Sequence, residues 1–283
     1  MKKLVSLIII IIGFAGIIGG CITKSSKFAI TNITTEKQSL ETIKEKGPLT
    51  IVSPPKEVPF FFINSETNKT SGIDADIITE IAKRLGINKI EVKEAPFSNL
   101  LEKLKTDDSI DMAVGGIFIT PEREASVDFT KPLYKETETV IVPKYSDINN
   151  KSDLRELVIG VERGTIFVDL AQEWKKNNFI KDVMIFESTT DLLNAINLRK
   201  VDAGIADSIV VNSFLADGGS YLPLRTLKDY TPEVNGTLGM AVRKADISLL
   251  NEVNKIIDDM KADGTLYAIL VDNGLNRDNI VPQ

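Results

Sequence analysis

The side chains available for chemistry in this sequence are acids and arginines, because imidazole is missing and thiol nearly so. No histidine occurs, and Cys21 is the single cysteine. Without imidazole, the usual general base and the commonest metal ligand are gone. One thiol makes neither an intramolecular disulfide nor a thiolate metal cluster. The expectation is therefore no metal, no cofactor and no catalytic residue. Arg123 has the most telling context of the cations. Thr120 is placed to cap a helix and Pro121 to take its first position, so the guanidinium belongs to the first turn. There it can grip a carboxylate bidentately beside helix N–H donors; the plain alternative is a solvated arginine. Asp207 follows a buried strand and precedes Ser208-Ile209-Val210-Val211, where an acid serves as a ligand group or as a helix cap. Gly164-Thr165-Ile166 either presents N–H groups at a helix start or is a simple strand-to-helix turn. Asp74 and Asp76 suit a helix N-terminus and are read as structural. Asp107-Asp108 and Asp258-Asp259 lack the interleaved oxygen spacing of a calcium loop.

The chain carrying these groups has 283 residues, enough for one large or two modest domains. Hydrophobic residues make up 43% and charged residues 26%, an ordinary soluble balance. A formal net charge of -6 disfavours a nucleic-acid partner.

Lys2 and Lys3 precede an apolar run from Leu4 through Ile18, and Gly19-Gly20 lead into Cys21. A charged start, an apolar core and small residues before a cut site make an export signal over 1–21. Ile18-Gly19-Gly20-Cys21 is similar to a lipoprotein signal, in which diacylglycerol is attached to the cysteine. An uncleaved transmembrane anchor is the alternative, although the run is barely long enough to span. Either way, the chain beyond Cys21 is expected outside the cytoplasm, held at the membrane. Residues 22–46 read as a polar tether ending in a leading helix from Glu36 to Lys46.

Beyond it, strands alternate with amphipathic helices twice. Leu49–Val52, Lys89–Val92 and Asp111–Val114 are strands around helices Asp74–Leu85 and Ser98–Lys105. Leu157–Val161, Val183–Phe186 and Val201–Ile205 repeat the pattern around helices Ile166–Lys175 and Asp191–Leu198. Such alternation predicts α/β lobes with parallel-rich sheets and right-handed crossovers. A single continuous sheet is the alternative. The two-lobe reading assigns 47–139 plus 240–283 to lobe 1 and 140–239 to lobe 2. Val140-Ile141-Val142 and Gly239-Met240-Ala241-Val242 are its expected hinge strands, and the helix Ile247–Asp263 returns to lobe 1. Ligands of α/β folds sit at the carboxyl ends of strands, here the cleft.

Five stretches carry a family resemblance: Gly72-Ile73-Asp74-Ala75-Asp76-Ile77; Gly115 through Arg123 with Val127-Asp128-Phe129-Thr130-Lys131-Pro132-Leu133-Tyr134; Gly160 through Thr165; Val201-Asp202-Ala203 through Asp207; and Asp263-Gly264-Thr265. From about Gly47 to Leu275 the chain resembles the polar amino-acid class of extracellular solute-binding proteins, family 3, the receptors of ABC importers. The resemblance implies a type II periplasmic-binding-protein fold, two lobes that shut on a ligand like a Venus flytrap. It places Arg123 on the ligand's α-carboxylate with Gly116 and Phe118 beside it. Phe118 departs from the hydroxyl residue usual there. Asp207 falls on the α-ammonium, Thr165 and Ile166 on the carboxylate, and Phe97 on the ligand's stem, with core packing as the alternative for Phe97. A cation on one lobe and an anion on the other mean that a zwitterion bridging both stabilises closure.

Glu57 stands where the family often has an aromatic, and Glu162 at another position lining the side-chain pocket. Two carboxylates there would suit a cationic amino acid; two exposed loop charges are the alternative. The partners expected are a small amino acid, the permease of an ABC transporter and the membrane, with the protein a monomer. The competing reading is a secreted cyclohexadienyl dehydratase acting on prephenate or arogenate, a chemistry that needs little beyond a placed carboxylic acid such as Glu57 or Glu162.

Overall fold

A computed structural model describes residues 40–54, 56–64, 67, 69–216 and 222–281. The expected export signal, Cys21 and most of the tether lie outside the described residues, and the leading helix is described from 40 to 46. No helix among the described residues is long and apolar enough to cross a membrane.

Leu49, Ile51 and Val52 have no solvent exposure, because their strand, Pro48–Ser53, is covered on both faces. It sits inside a five-stranded sheet ordered Lys89–Glu94, Pro48–Ser53, Met112–Ala113, Ala241–Val242 and Asp128–Phe129. The first three strands are parallel and the last two join antiparallel. The helix Ile73–Leu85 packs the Ile77, Ile78, Ile81 and Leu85 stripe inward. It carries Asp74 and Asp76 in its first turn and Lys83 and Arg84 in its last, and stops at Gly86 in the left-handed conformation. Helices Ile247–Ala262 and Thr265–Asp272 pack on it, and Arg84 pairs with Asp263 at 2.9 Å.

The second sheet is ordered Asp182–Phe186, Val158–Glu162, Ala203–Asp207, Tyr134–Pro143 and Leu224–Thr226. Its first three strands are parallel, and Tyr134–Pro143 runs antiparallel to Ala203–Asp207. Helices Phe167–Lys176 and Thr189–Asn197 lie against it, the latter capped by Ser188, whose hydroxyl accepts from the Asp191 amide. Both sheets are thus parallel at the centre and antiparallel towards one edge, as a two-lobed α/β fold requires.

The crossing strands lie apart from the stretches expected to form the hinges. Tyr134–Thr137 pairs with Asn235–Leu238, and this ladder links the two sheets. Val140 and Ile141 pair with Ile205 and Gly204 inside the second sheet, whereas Ala241 pairs with Ala113 and Phe129 inside the first. The burial pattern gives the reason. The strand Tyr134–Pro143 alternates buried and half-buried residues up to Thr139, then is continuously buried. A run buried on both faces belongs within a sheet; a crossing ribbon keeps one wetter face.

Candidate functional site

A cavity of about 850 Å³ lies between the two halves. The first half contributes Glu57, Val58 and Phe97, and the second contributes Glu162, Thr189 and Leu193. Glu57 ends the short strand Lys56–Glu57 of a three-stranded flap, and Glu162 ends the buried strand Val158–Glu162. Both acids therefore project from strand ends, where α/β folds place ligand groups. The halves touch nearby. Gly164 sits at φ +82, and a Cβ there would come within 2.7 Å of the Ser98 Cα, so glycine permits the approach.

Arg123 is built as its context predicts. Thr120 Oγ1 accepts from the Arg123 amide at 3.2 Å, and Pro121 opens the four-residue helix Pro121–Glu124. The guanidinium crosses the gap. Nη1 donates to the Phe118 carbonyl at 2.8 Å in its own half, and Nη2 to the Gly164 carbonyl at 2.9 Å in the other. Five N–H donors are available on the fork, so these two bonds leave others for a carboxylate. The Phe97 ring lies 5.7 Å from Cζ, lining both the large cavity and a smaller one that includes Arg123. Burial lowers the Arg123 pKa, the charge of Asp207 opposing it only in part, and the group stays cationic.

The acids are less well served. Asp207 ends the strand Ala203–Asp207 and is 9% exposed. Burial and the charges of Glu136, Glu162 and Glu57 push its pKa well above the usual carboxylate range. Burial, then the charge of Glu162, raise Glu57 to about 8, opposed by the Thr189 hydroxyl. Burial raises Glu162 to about 7, opposed by hydrogen bonds from Thr189. Thr189 Oγ1 donates to Glu162 Oε2, so a single hydroxyl proton serves a neighbourhood of two carboxyls. No described lysine or arginine forms an ion pair with Glu57, Glu162 or Asp207; Lys56 stands exposed at the rim.

Other expected site residues turn out differently. The Gly116 amide donates to Asp74 Oδ2 at 2.8 Å rather than facing the cavity. Gly116 is at φ +70, with the Phe60 ring where a Cβ would stand. Phe118 is 4% exposed, packed edge-on against Phe167 and over Gly236, and lines no described cavity. Its apolar ring, the departure from the family pattern, fills the junction between the halves; its carbonyl meets Arg123. The Thr165 amide and hydroxyl both turn back to the Glu162 carbonyl, at 3.4 and 2.8 Å. Thr165 and Ile166 line a separate recess of about 250 Å³ beside Arg123.

Two further polar groups at the site have little to mark them in the sequence. Thr189 follows the cap Ser188 and reads as a helix start; only the adjacent strand brings it to Glu162. Glu136, 1% exposed on the crossing strand, accepts from Ser208 Oγ at 2.7 Å and the Ile209 amide at 3.1 Å, while its Oε2 is buried without a partner. Burial raises its pKa to about 7. Its one signal is the period of two that puts Glu136 on the face of Tyr134 and Val140.

Fold and site together define a two-lobed ligand receptor, and comparison with known proteins agrees. The family of bacterial extracellular solute-binding proteins, family 3, matches residues 49–272, and the chain belongs to it. A probable histidine-binding protein of Campylobacter jejuni is 31% identical over 83% of this chain and 88% of its own. The ABC transporter arginine-binding protein 1 of Escherichia coli is 31% identical over 75% of this chain and 84% of its own. The solved structure of an ancestral amino acid-binding protein, described as a precursor of cyclohexadienyl dehydratase, superposes with a TM-score of 0.71. It is 26% identical and covers 83% of this chain and 98% of that one.

Proposed function

We propose that the chain is the extracytoplasmic receptor of an ABC importer and captures a polar amino acid, specifically one with a cationic side chain. The observation that carries the cationic preference is the pairing of Glu57 and Glu162 on opposite walls of one cavity, with no described lysine or arginine ion-paired to either. The names of relatives that bind histidine or arginine point the same way. In this reading Arg123 takes the α-carboxylate, Asp207 the α-ammonium and Phe97 the stem, so that the ligand ties the lobes together. Diacylglycerol on Cys21 holds the protein, a monomer, at the outer face of the membrane, where it delivers its cargo to a permease.

A thermal-shift screen of the chain after Cys21 against the full set of proteinogenic amino acids tests this. A ligand at a hundred times its Kd stabilises the native state by about 2.7 kcal/mol. Arginine, lysine or histidine should give the largest shifts; a preference for an acidic or apolar amino acid would refute the cationic assignment. The second reading, a dehydratase, draws on the protonated acid that Glu57 supplies near neutral pH. Turnover of prephenate or arogenate by the purified protein would establish it, and we expect none.

A further inference from the structure

We propose that Glu136, on the strand that crosses between the halves, is the positioning residue for Asp207 and so ties recognition of the ligand's α-ammonium to that strand. This rests on the role given to Asp207 above and goes beyond it by naming what holds that acid in place.

Asp207 ends the strand Ala203–Asp207, and the helix Ser208–Ala216 begins at the next residue. No loop intervenes, so the aim of the Asp207 carboxyl depends on how this junction is held. The first amides of a helix have no acceptor within it, and the residue before the helix ordinarily supplies one from its own side chain. Asp207 is that residue, and the Ile209 amide is one that it would take as a cap. The amide goes elsewhere. It donates to Glu136 Oε1 at 3.1 Å, and the Ser208 hydroxyl donates to the same oxygen at 2.7 Å. The Thr137 hydroxyl, next to Glu136 in the chain, donates to Ser208 Oγ at 3.4 Å. An acid from a different strand therefore does the capping, and Asp207 is relieved of that bond. Sequence alone leaves Asp207 between helix cap and ligand group; Glu136 tips the choice toward ligand group. Burial and then the charge of Glu136 are the two largest causes of the raised Asp207 pKa, which fits two carboxyls set close together.

The register explains the reach. Asp207 pairs with Glu138 at the end of the ladder between Ala203–Asp207 and Tyr134–Pro143. Glu136 lies two residues beyond that pair, so it shares a face with Glu138 and overhangs the end of the neighbouring strand, where the helix starts. There it pairs with Gly236, in the ladder that links the two sheets. Two residues earlier, on the same face, the Tyr134 hydroxyl donates to Asp74 Oδ1 at 2.8 Å, and Asp74 Oδ2 accepts from the Gly115 and Gly116 amides. One face of the crossing strand thus fastens the turn that leads to Arg123 in the first half and the junction that carries Asp207 in the second. The groups assigned to the ligand's carboxylate and ammonium are both referred to this one element, which sets how far apart they stand.

The test is calorimetric titration of the chain after Cys21 with L-arginine and with deamino-arginine, which has hydrogen in place of the α-amino group. Glu136→Ala should weaken L-arginine by about tenfold or more and leave deamino-arginine within about twofold. Glu136→Gln keeps the Oε1 acceptor and should bind L-arginine within about threefold of the unaltered protein. Should Glu136→Ala fail to fold, Ser208→Ala removes only the hydroxyl donor and should show the same selective loss at about threefold. An equal loss for both ligands in the folded variant, or no loss for L-arginine, overturns the proposal. So does a loss in Glu136→Gln as large as that in Glu136→Ala. Asp207→Asn separates this step from the reading beneath it. If that variant keeps the preference for L-arginine over deamino-arginine, or if the unaltered protein binds no L-arginine, the proposed function falls and takes this inference with it. A lost preference in Asp207→Asn, with folded Glu136→Ala unaffected, refutes only the present step.

Discussion

Two sets of buried acids in this protein are treated in opposite ways. Asp74, 2% exposed, accepts from the Gly115 and Gly116 amides at 3.0 and 2.8 Å and from the Tyr134 hydroxyl at 2.8 Å. Burial raises its pKa and these donors only partly oppose that rise, while each of them is engaged by the carboxyl. Glu162 and Asp207 are also withdrawn from water and Glu57 is half-buried, but the charge of Glu162 acts on Glu57 and those of Glu162 and Glu57 on Asp207. Asp74 is part of the scaffold: it clamps the Gly115-Gly116 turn that leads to Arg123. The cleft acids have no such clamp, and in the proposed function the partner they are arranged for is a ligand.

This contrast can be broken at either end. The largest effect should come from Asp74→Ala, which orphans two amides and a hydroxyl. We expect a loss of about 3 kcal/mol or more in urea unfolding, with little change in m. An unshifted midpoint would mean that the clamp is not structural. Next, Arg123→Ala should leave the fold nearly intact and weaken amino-acid binding by about 2–5 kcal/mol in calorimetry. Unchanged affinity would remove Arg123 from the site. Glu57→Gln and Glu162→Gln should each cost about 1–3 kcal/mol in binding arginine or lysine. At about pH 8 neither should destabilise the unliganded fold, since each removes an under-served charge. A stability loss as large as that of Asp74→Ala would erase the distinction.

The smallest effect is the pH dependence. The native pKa values of about 8 for Glu57 and about 7 for Glu162 lie above the ordinary glutamate value of 4.5. Between pH 4.5 and about 8 the native state therefore binds more protons than the unfolded one, and stability of the unliganded protein falls as pH rises through that window. A cationic ligand prefers the ionised acids, so its affinity should rise over about pH 6–8 by at most about tenfold per unit for each proton released. Titration near neutral pH in buffers of different ionisation enthalpy should show that release, and it should shrink in Glu57→Gln. A pH-independent affinity would mean the acids do not meet the cation.

Much of this is legible in the chain itself. The Thr120-Pro121 start, the stripe of Ile77, Ile78 and Ile81, and the Ser188 cap are local signals whose physics operates within a turn or two. Asp74 reads correctly as structural, yet its three donors come from distant parts of the chain and no spacing announces them. Gly116 and Phe118 belong to the motif that includes Arg123, but tertiary packing spends the Gly116 amide on Asp74 and the Phe118 ring on Phe167. The hinge is hard to place from sequence because apolar runs mark sheet interiors most strongly, whereas a crossing ribbon reads as ordinary alternation.

The alternation of strands and helices, the lack of imidazole and thiol chemistry, and an arginine preset at a helix start were determined by the sequence alone. Hydrophobic period, capping and composition are properties of neighbouring residues and survive without a fold. Only the tertiary structure decided that Glu57 and Glu162 share one cavity, that Thr189 stands at the acid pair, and that Arg123 reaches the opposite lobe at Gly164. Charges far apart in the chain interact only when crossovers and crossing strands bring them within a few ångströms, and the strength of that interaction depends on how much water the same fold has excluded.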